Sequence, residues 1–169
     1  MKKNVTKFVC VNAAVAALYV VFTMPFGIIS TQSGLQFRPA EALTVLPALC
    51  PYTVVGLTIG CAISNLVSQF GIFDILLGSL TTLIAGLLTS TKLFNKFWSA
   101  PIPPVILNAA FLPMIWMLAD PELGWSLYLI NAGGLLLTQS VVIFGLGIPL
   151  YFLTKSKLLP LMALEDTNA

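Results

Sequence analysis

The chain has 169 residues, of which 58% are hydrophobic and only 8% charged, with eight lysines and arginines against six carboxylates. With a mean hydropathy of +0.98, this is the composition of a polytopic membrane protein with almost no room for a soluble domain. There is no histidine, and Cys10, Cys50 and Cys61 sit in apolar runs without CxxC spacing, so a zinc site, a disulfide framework and a Cys/His catalytic pair are excluded and buried free thiols are expected.

A transmembrane helix needs about 20 apolar residues. Apolar segments fall at 8–29, 39–50, 52–69, 73–91, 101–119 and 125–153, separated by STQSGLQFR, CPYT, SQFGIFD, KLFNKFWSAPIPP and DPELG, all rich in breakers or charge. The first follows a basic start, MKKNVTK, but runs longer than a secretory core. Tyr19 and Phe22 stand where a cleavage site needs small residues, so it reads as a retained span. Ala13 and Ala17 lie one helical turn apart on it, a smooth patch that lets another helix approach closely, whether from this chain or from another subunit. The second segment is short, since an α-helix of that length rises only about 18 Å. It is either a short span or the first part of a broken helix continued by 52–69.

Lysine placement decides between five spans and six. Lys2, Lys3 and Lys7 precede the first span, Lys92 and Lys96 follow the fourth, and Lys155 and Lys157 follow the last. Six spans put all of them on one side, as the positive-inside rule requires, and five would split them. The expected fold class is an all-α membrane protein of six transmembrane helices in one domain, residues 1–169, with both termini cytoplasmic and a polar tail, LEDTNA. The same topology places Arg38, Glu41, Asp74, Asp120 and Glu122 at the outer ends of spans. That outer end suits a cation better than an anion.

Ionisable groups in spans usually face protein or a water-filled cavity. Arg38 precedes Pro39, so it should be extended. Pro39 suits the first helical position and Glu41 then lies in the first turn, where the helix dipole favours an anion. The pair either anchors a helix end or presents a ligand-facing carboxylate, with Arg38 orienting it or touching the ligand. Asn65, Asp74 and Asn131 lie toward the outer half, and Asn108 and Gln139 near mid-depth. Such groups either bond neighbouring helices or share a cavity. Trp116, Trp125 and Tyr128 flank the outer ends of the last two spans, as an interfacial aromatic belt or as stacking surfaces for a planar ligand. No Walker lysine, GxSxG, paired histidines or glycine-rich phosphate loop is present, so no enzyme is read here. Uphill movement of a solute would need another chain or an ion gradient. A ligand-free membrane scaffold, with the polar residues serving as helix glue, is the alternative class.

The stretches QFRPAEALTVLP (36–47), GLTIGCAISNL (56–66) and DILLGSLTTLIAGLL (74–88) resemble the QueT family of membrane proteins, over roughly residues 5–155. These are substrate-binding S components of energy-coupling-factor (ECF) transporters, bacterial multi-pass proteins of the cell membrane. The resemblance implies a compact six-helix bundle that takes no cofactor and binds a queuosine precursor, a 7-deazaguanine such as preQ1 or preQ0, near the outer face. A different vitamin-like heterocycle is the alternative ligand. It implies a lid formed by the loop STQSGLQF (30–37). Its expected partners are a transmembrane coupling protein that packs on Ala13 and Ala17 and two ATP-hydrolysing subunits that drive toppling of the loaded S component. Glu41 would take the guanine edge, Asp74 the aminomethyl group, and Phe37, Trp116 or Trp125 the ring face. Asn65, Asn108, Asn131, Arg38 and Tyr128 complete the expected binding set. The family pattern has an acidic residue near the middle of the last helix, where this chain reads LLTQSVV, so Gln139 is a neutral replacement.

Overall fold

A computed structural model describes residues 2–26, 36–120, 122, 124–162 and 164, the side chains of Lys2 and Lys3 excepted. Of the expected lid, Gln36 and Phe37 are described and the rest lies outside these residues, as does most of the polar tail. Among the described residues every regular element is helical. Helix α1 (Lys2–Thr23) ends in a 3-10 turn at Met24–Phe26. A 3-10 helix follows at Pro39–Ala48. Then come α2 (Val54–Ser64), α3 (Ser79–Thr89), which is entered through a π turn at Asp74–Gly78, α4 (Ile102–Ala119) and α5 (Trp125–Val142). Beyond α5 the chain stays helical to Met162, through π turns at Ile143–Gly147 and Thr154–Leu158.

Asn4–Phe26, Ile102–Ala119 and Trp125–Met162 are long and apolar enough to cross a membrane, whereas Pro51–Val67 and Asp74–Thr89 are apolar but shorter. The chain is a multi-pass membrane protein, and its radial arrangement agrees. Val9, Val21, Ile59, Leu80, Leu129 and Val141 are exposed while Arg38, Glu41, Asn65, Asp74, Asn108 and Gln139 are buried. In water that arrangement would be inverted, whereas hydrocarbon drives polar groups toward one another inside the protein.

Three boundaries or environments differ from those read in the sequence. The last helix runs past 153 because Lys155 and Lys157 sit exposed on a π turn without breaking it. Tyr52 Oη also ties its end down by donating to the Met162 carbonyl. Cys10 is exposed on α1, unlike the buried Cys50 and Cys61, because an apolar membrane surface accepts a thiol as readily as a core does. Segment 39–50 is helical but wound as 3-10 with Pro47 inside it. At about 2.0 Å per residue it extends about 20 Å, short of a bilayer core of about 30 Å.

That short helix is the centre of the molecule. Ala40 through Pro47 are all buried, and the helix packs against α1, α3 and the π turn at Ile143–Gly147. A helix covered on every side needs no amphipathic face, and its two polar side chains, Glu41 and Thr44, are buried like the rest. Gly147 makes room for it, since a Cβ there would lie 3.0 Å from Val45 Cγ1 and 3.3 Å from the Ala42 carbonyl oxygen. The α1–α2 contact is closer still. A Cβ on Gly56 would lie 2.5 Å from the Asn12 carbonyl oxygen, and one on Gly60 would lie 2.7 Å from Tyr19 Cβ. Two glycines four residues apart let the backbones touch, as membrane helices do where lipid supplies no hydrophobic drive to association. Asn12 seals the contact by accepting from the Gly56 N–H at 2.7 Å and donating to the Phe8 carbonyl at 2.9 Å.

Gly56→Ala should therefore cost about 1–3 kcal/mol by overpacking, read as a lower thermal unfolding midpoint of the purified protein. Gly133→Ala, where a Cβ meets nothing within 4 Å, should leave the midpoint unchanged or raise it. Equal midpoints for the two variants would overturn the close α1–α2 approach.

Candidate functional site

Proline chemistry sets up the first carboxylate. Arg38 is extended (φ −120°, ψ 97°), Pro39 opens the 3-10 helix and Glu41 falls in its first turn, with its N–H bonded to the Arg38 carbonyl at 3.0 Å. The Glu41 side chain then points inward. Tyr19 Oη on α1 donates to Oε1 at 2.6 Å, and Asn108 Nδ2 on α4 donates to Oε2 at 3.2 Å. Asn108 Nδ2 also lies 3.5 Å from Gln139 Oε1 on α5, a distance at which a bond is weak. Four elements thus converge on one carboxylate, all with buried side chains. Arg38, itself 3% exposed, lies within electrostatic reach of Tyr19, Cys61, Glu41 and Asp74.

The second carboxylate, Asp74, opens the π turn before α3. Ser68 Oγ donates to its Oδ2 at 2.5 Å, and Trp116 Nε1 on α4 donates to its Oδ1 at 3.1 Å. Asn65 Nδ2 reaches the Asp74 backbone carbonyl at 2.8 Å. Phe70 closes this cluster by stacking on Trp116, with ring centroids 5.2 Å apart and planes 13° apart. Each Asp74 oxygen already accepts one strong donor, which pins the turn after α2 to α4. Each also keeps a second lone pair for a ligand donor. Cys61 lies beside this cluster, its Sγ 3.5 Å from Asn65 Nδ2 and 3.3 Å from Thr82 Oγ1.

Several buried polar atoms have no partner among the described residues: both amide atoms of Gln36, Oδ1 of Asn65, and the hydroxyls of Ser64 and Ser79. Buried polar groups are usually bonded, and one that is not marks a costly vacancy in the network. By contrast, a groove of about 310 Å³ between α3 and α4 is lined by Leu77, Leu80, Ile84, Phe111 and Leu118, residues suited to a lipid chain. It includes neither carboxylate.

Of the residues singled out in the sequence, Arg38, Glu41, Asn108 and Gln139 come together around one carboxylate, and Asn65, Asp74 and Trp116 around the other. Trp116 is fully buried and is not part of an interfacial belt, because its indole N–H is committed to Asp74. Trp125 stays on the outside at 71% exposure and stacks edge-on with Tyr128, whose hydroxyl donates to the Ala110 carbonyl at 3.1 Å. Neither enters the polar cluster. Phe37 is half-buried and packs edge-on against Phe26. Asn131 is buried on the stripe of α5 that carries Leu135 and Gln139 but makes no side-chain hydrogen bond among the described residues. Ala13 and Ala17 are exposed on α1, while Asn12, Ala16 and Tyr19 face α2. Tyr19, Ser68, Phe70, Gln36 and Cys61 were not legible as site residues. A lone tyrosine in AALYVVF gives no sign of which way its hydroxyl points.

A carboxylate beside an amide chain and a guanidinium offers acceptors and donors side by side, the complement of a flat heterocycle with both on one edge. The profile of the QueT transporter family matches residues 9–156. A queuosine precursor transporter, QueT, from Lactococcus lactis subsp. cremoris (strain MG1363) is 39% identical over 98 residues, 57% of this chain and 57% of the relative. The match thus spans a little over half the length of that curated relative. No solved structure matches the chain.

Trp116→Phe keeps the Phe70 stack but removes the donor to Asp74. It should cost about 1.5–3 kcal/mol, the range for a hydrogen bond to a charged group, whereas Trp125→Phe should stay within about 0.5 kcal/mol as a surface change. Thermal unfolding of both variants without ligand checks this, and equal stabilities would remove Asp74 as a pin.

Proposed function

The chain belongs to the QueT transporter family, and on that premise we propose that it is the substrate-binding membrane subunit of an ECF-type importer for a queuosine precursor of the 7-deazaguanine class. The observation that carries the reading is the Glu41 carboxylate, buried and held by Tyr19 and Asn108 from two other helices. A helix bundle that needed only stability would do as well with apolar residues there. Support for the substrate comes from chemical fit and from the printed function of the Lactococcus lactis relative.

In this reading Glu41 accepts the N1–H and N2–H₂ donors of the guanine-like edge, and Asn108 or Arg38 donates to O6. The ring lies against an aromatic such as Trp116. Asp74 takes the aminomethyl cation of preQ1, which makes preQ1 a better ligand than the neutral nitrile preQ0. Six spans with both termini cytoplasmic remain the topology, on the strength of the lysine pattern. Loading occurs from outside and delivery by toppling, energised by a coupling protein and two ATPases in other chains. The exposed Ala13 and Ala17 face is the surface on which the coupling protein packs.

Calorimetry of the purified protein with preQ1, preQ0 and queuine tests the substrate, and no heat from any of them would overturn it. Glu41→Gln should weaken binding about 10- to 100-fold, since a charged acceptor is lost, with Tyr19 and Asn108 still able to bond the amide. Ala13→Trp should leave ligand binding intact and abolish co-purification with a coupling protein. Retained co-purification would move the interface elsewhere.

A further inference from the structure

Gln36 combines two unfavourable features that a structural residue would avoid. It is only 1% exposed, and neither its amide nitrogen nor its amide oxygen has a hydrogen-bond partner among the described residues. Its φ of +23° also makes it the one non-glycine residue with positive φ among those described. Left-handed backbone ordinarily belongs to glycine, and a buried side chain with no bonding task is ordinarily apolar. Residues that keep such costs cluster at ligand clamps, where the surroundings over-determine them. Burial also alternates here: Gln36 and Arg38 are buried, while Phe37 between them turns to Phe26. Along the chain Gln36 stands two residues before Arg38 and five before Glu41, on the same segment that enters the central helix.

We infer that Gln36 is a ligand contact whose amide takes an adjacent donor–acceptor edge of a planar base, selecting the free base over its N9-substituted form. This rests on the reading of the site just given. A primary amide offers one donor and one acceptor in a single plane, and it pairs best with a ring edge that carries the same two functions reversed. On a 7-deazaguanine whose N1–H, N2–H₂ and O6 are engaged by Glu41 and its neighbours, the edge that remains is N3 and N9–H in purine numbering. The amide N–H donates to N3 and the amide oxygen accepts from N9–H. A sugar or methyl group on N9 removes that donor and fills the space, leaving the Gln36 oxygen buried and unpaired again.

The test is calorimetry of the full-length protein with 7-aminomethyl-7-deazaguanine and its N9-methyl derivative. Wild type should bind the free base about tenfold or more tightly than the methylated one, the loss expected when a buried acceptor goes unpaired. Gln36→Gly suits the positive φ and should keep or raise the ligand-free melting midpoint. It should lose about tenfold affinity for the free base and bind both compounds alike. Free-base affinity unchanged in Gln36→Gly overturns the contact. Equal binding of both compounds by wild type, an arm that needs no variant to fold, overturns the edge assignment. If wild type binds neither compound, nor any other deazaguanine, the functional reading fails and this inference with it.

Discussion

A carboxylate inside a membrane bundle is the constraint around which the rest of the structure is arranged. Hydrocarbon offers Glu41 no water, so its two oxygens must be met by protein donors, and those donors come from helices distant in sequence. Tyr19 and Asn108 each close a hydrogen bond to it, which ties α1 and α4 to the central 3-10 helix. Removing one partner of such a buried group costs far more than the bond is worth on balance, because the other partner is then left unsatisfied. The same asymmetry makes the position suited to exchange, since a ligand donor can replace a protein donor at small net change.

Close packing is what brings the donors within reach. Tyr19 can sit over Glu41 only because α1 lies against α2 at Gly56 and Gly60, where any Cβ would collide with the α1 backbone or with Tyr19 itself. The Pro39–Ala48 helix is likewise admitted to the middle of the bundle by Gly147. Its narrow 3-10 winding and its two prolines give a short element whose end delivers Arg38 and Glu41 inward, where a full-length span would carry them to an interface. Asp74 does the complementary job, holding the turn that follows α2 against Trp116 so that the start of α3 and the end of α4 keep their spacing.

The two polar clusters are built alike. Around Asp74 every carboxylate oxygen already has a strong donor and an aromatic stack covers the group, a rigid arrangement. Around Glu41 each oxygen likewise has a donor, at 2.6 and 3.2 Å, and on the segment before it the Gln36 amide has no partner among the described residues. Unpaired atoms remain beside both clusters, the Gln36 amide before the central helix and Ser64, Asn65 and Ser79 at the end of α2 and the start of α3, and a ligand need not displace any bond to occupy them.

Composition and periodicity alone settled a good deal. Solvent identity, the helical class and the apolar segments follow from hydropathy, because in lipid the backbone must bond to itself within each segment. The extended Arg38, Pro39 at the helix start and Glu41 in the first turn were legible too, because proline's fixed φ and missing N–H act locally. Which polar residues share a cluster was not legible. Asn108 and Gln139 join Glu41 while Asn131, on the same α5 stripe, stays apart, and Trp116 turns inward while Trp125 turns out. Nothing in their local sequence separates these cases, since each depends on how far one helix is rotated and how closely another approaches. Those two quantities are set by small-residue contacts such as Gly56 and Gly60 against α1. The tertiary structure alone decided them, because packing across the bundle acts between residues that the sequence keeps far apart.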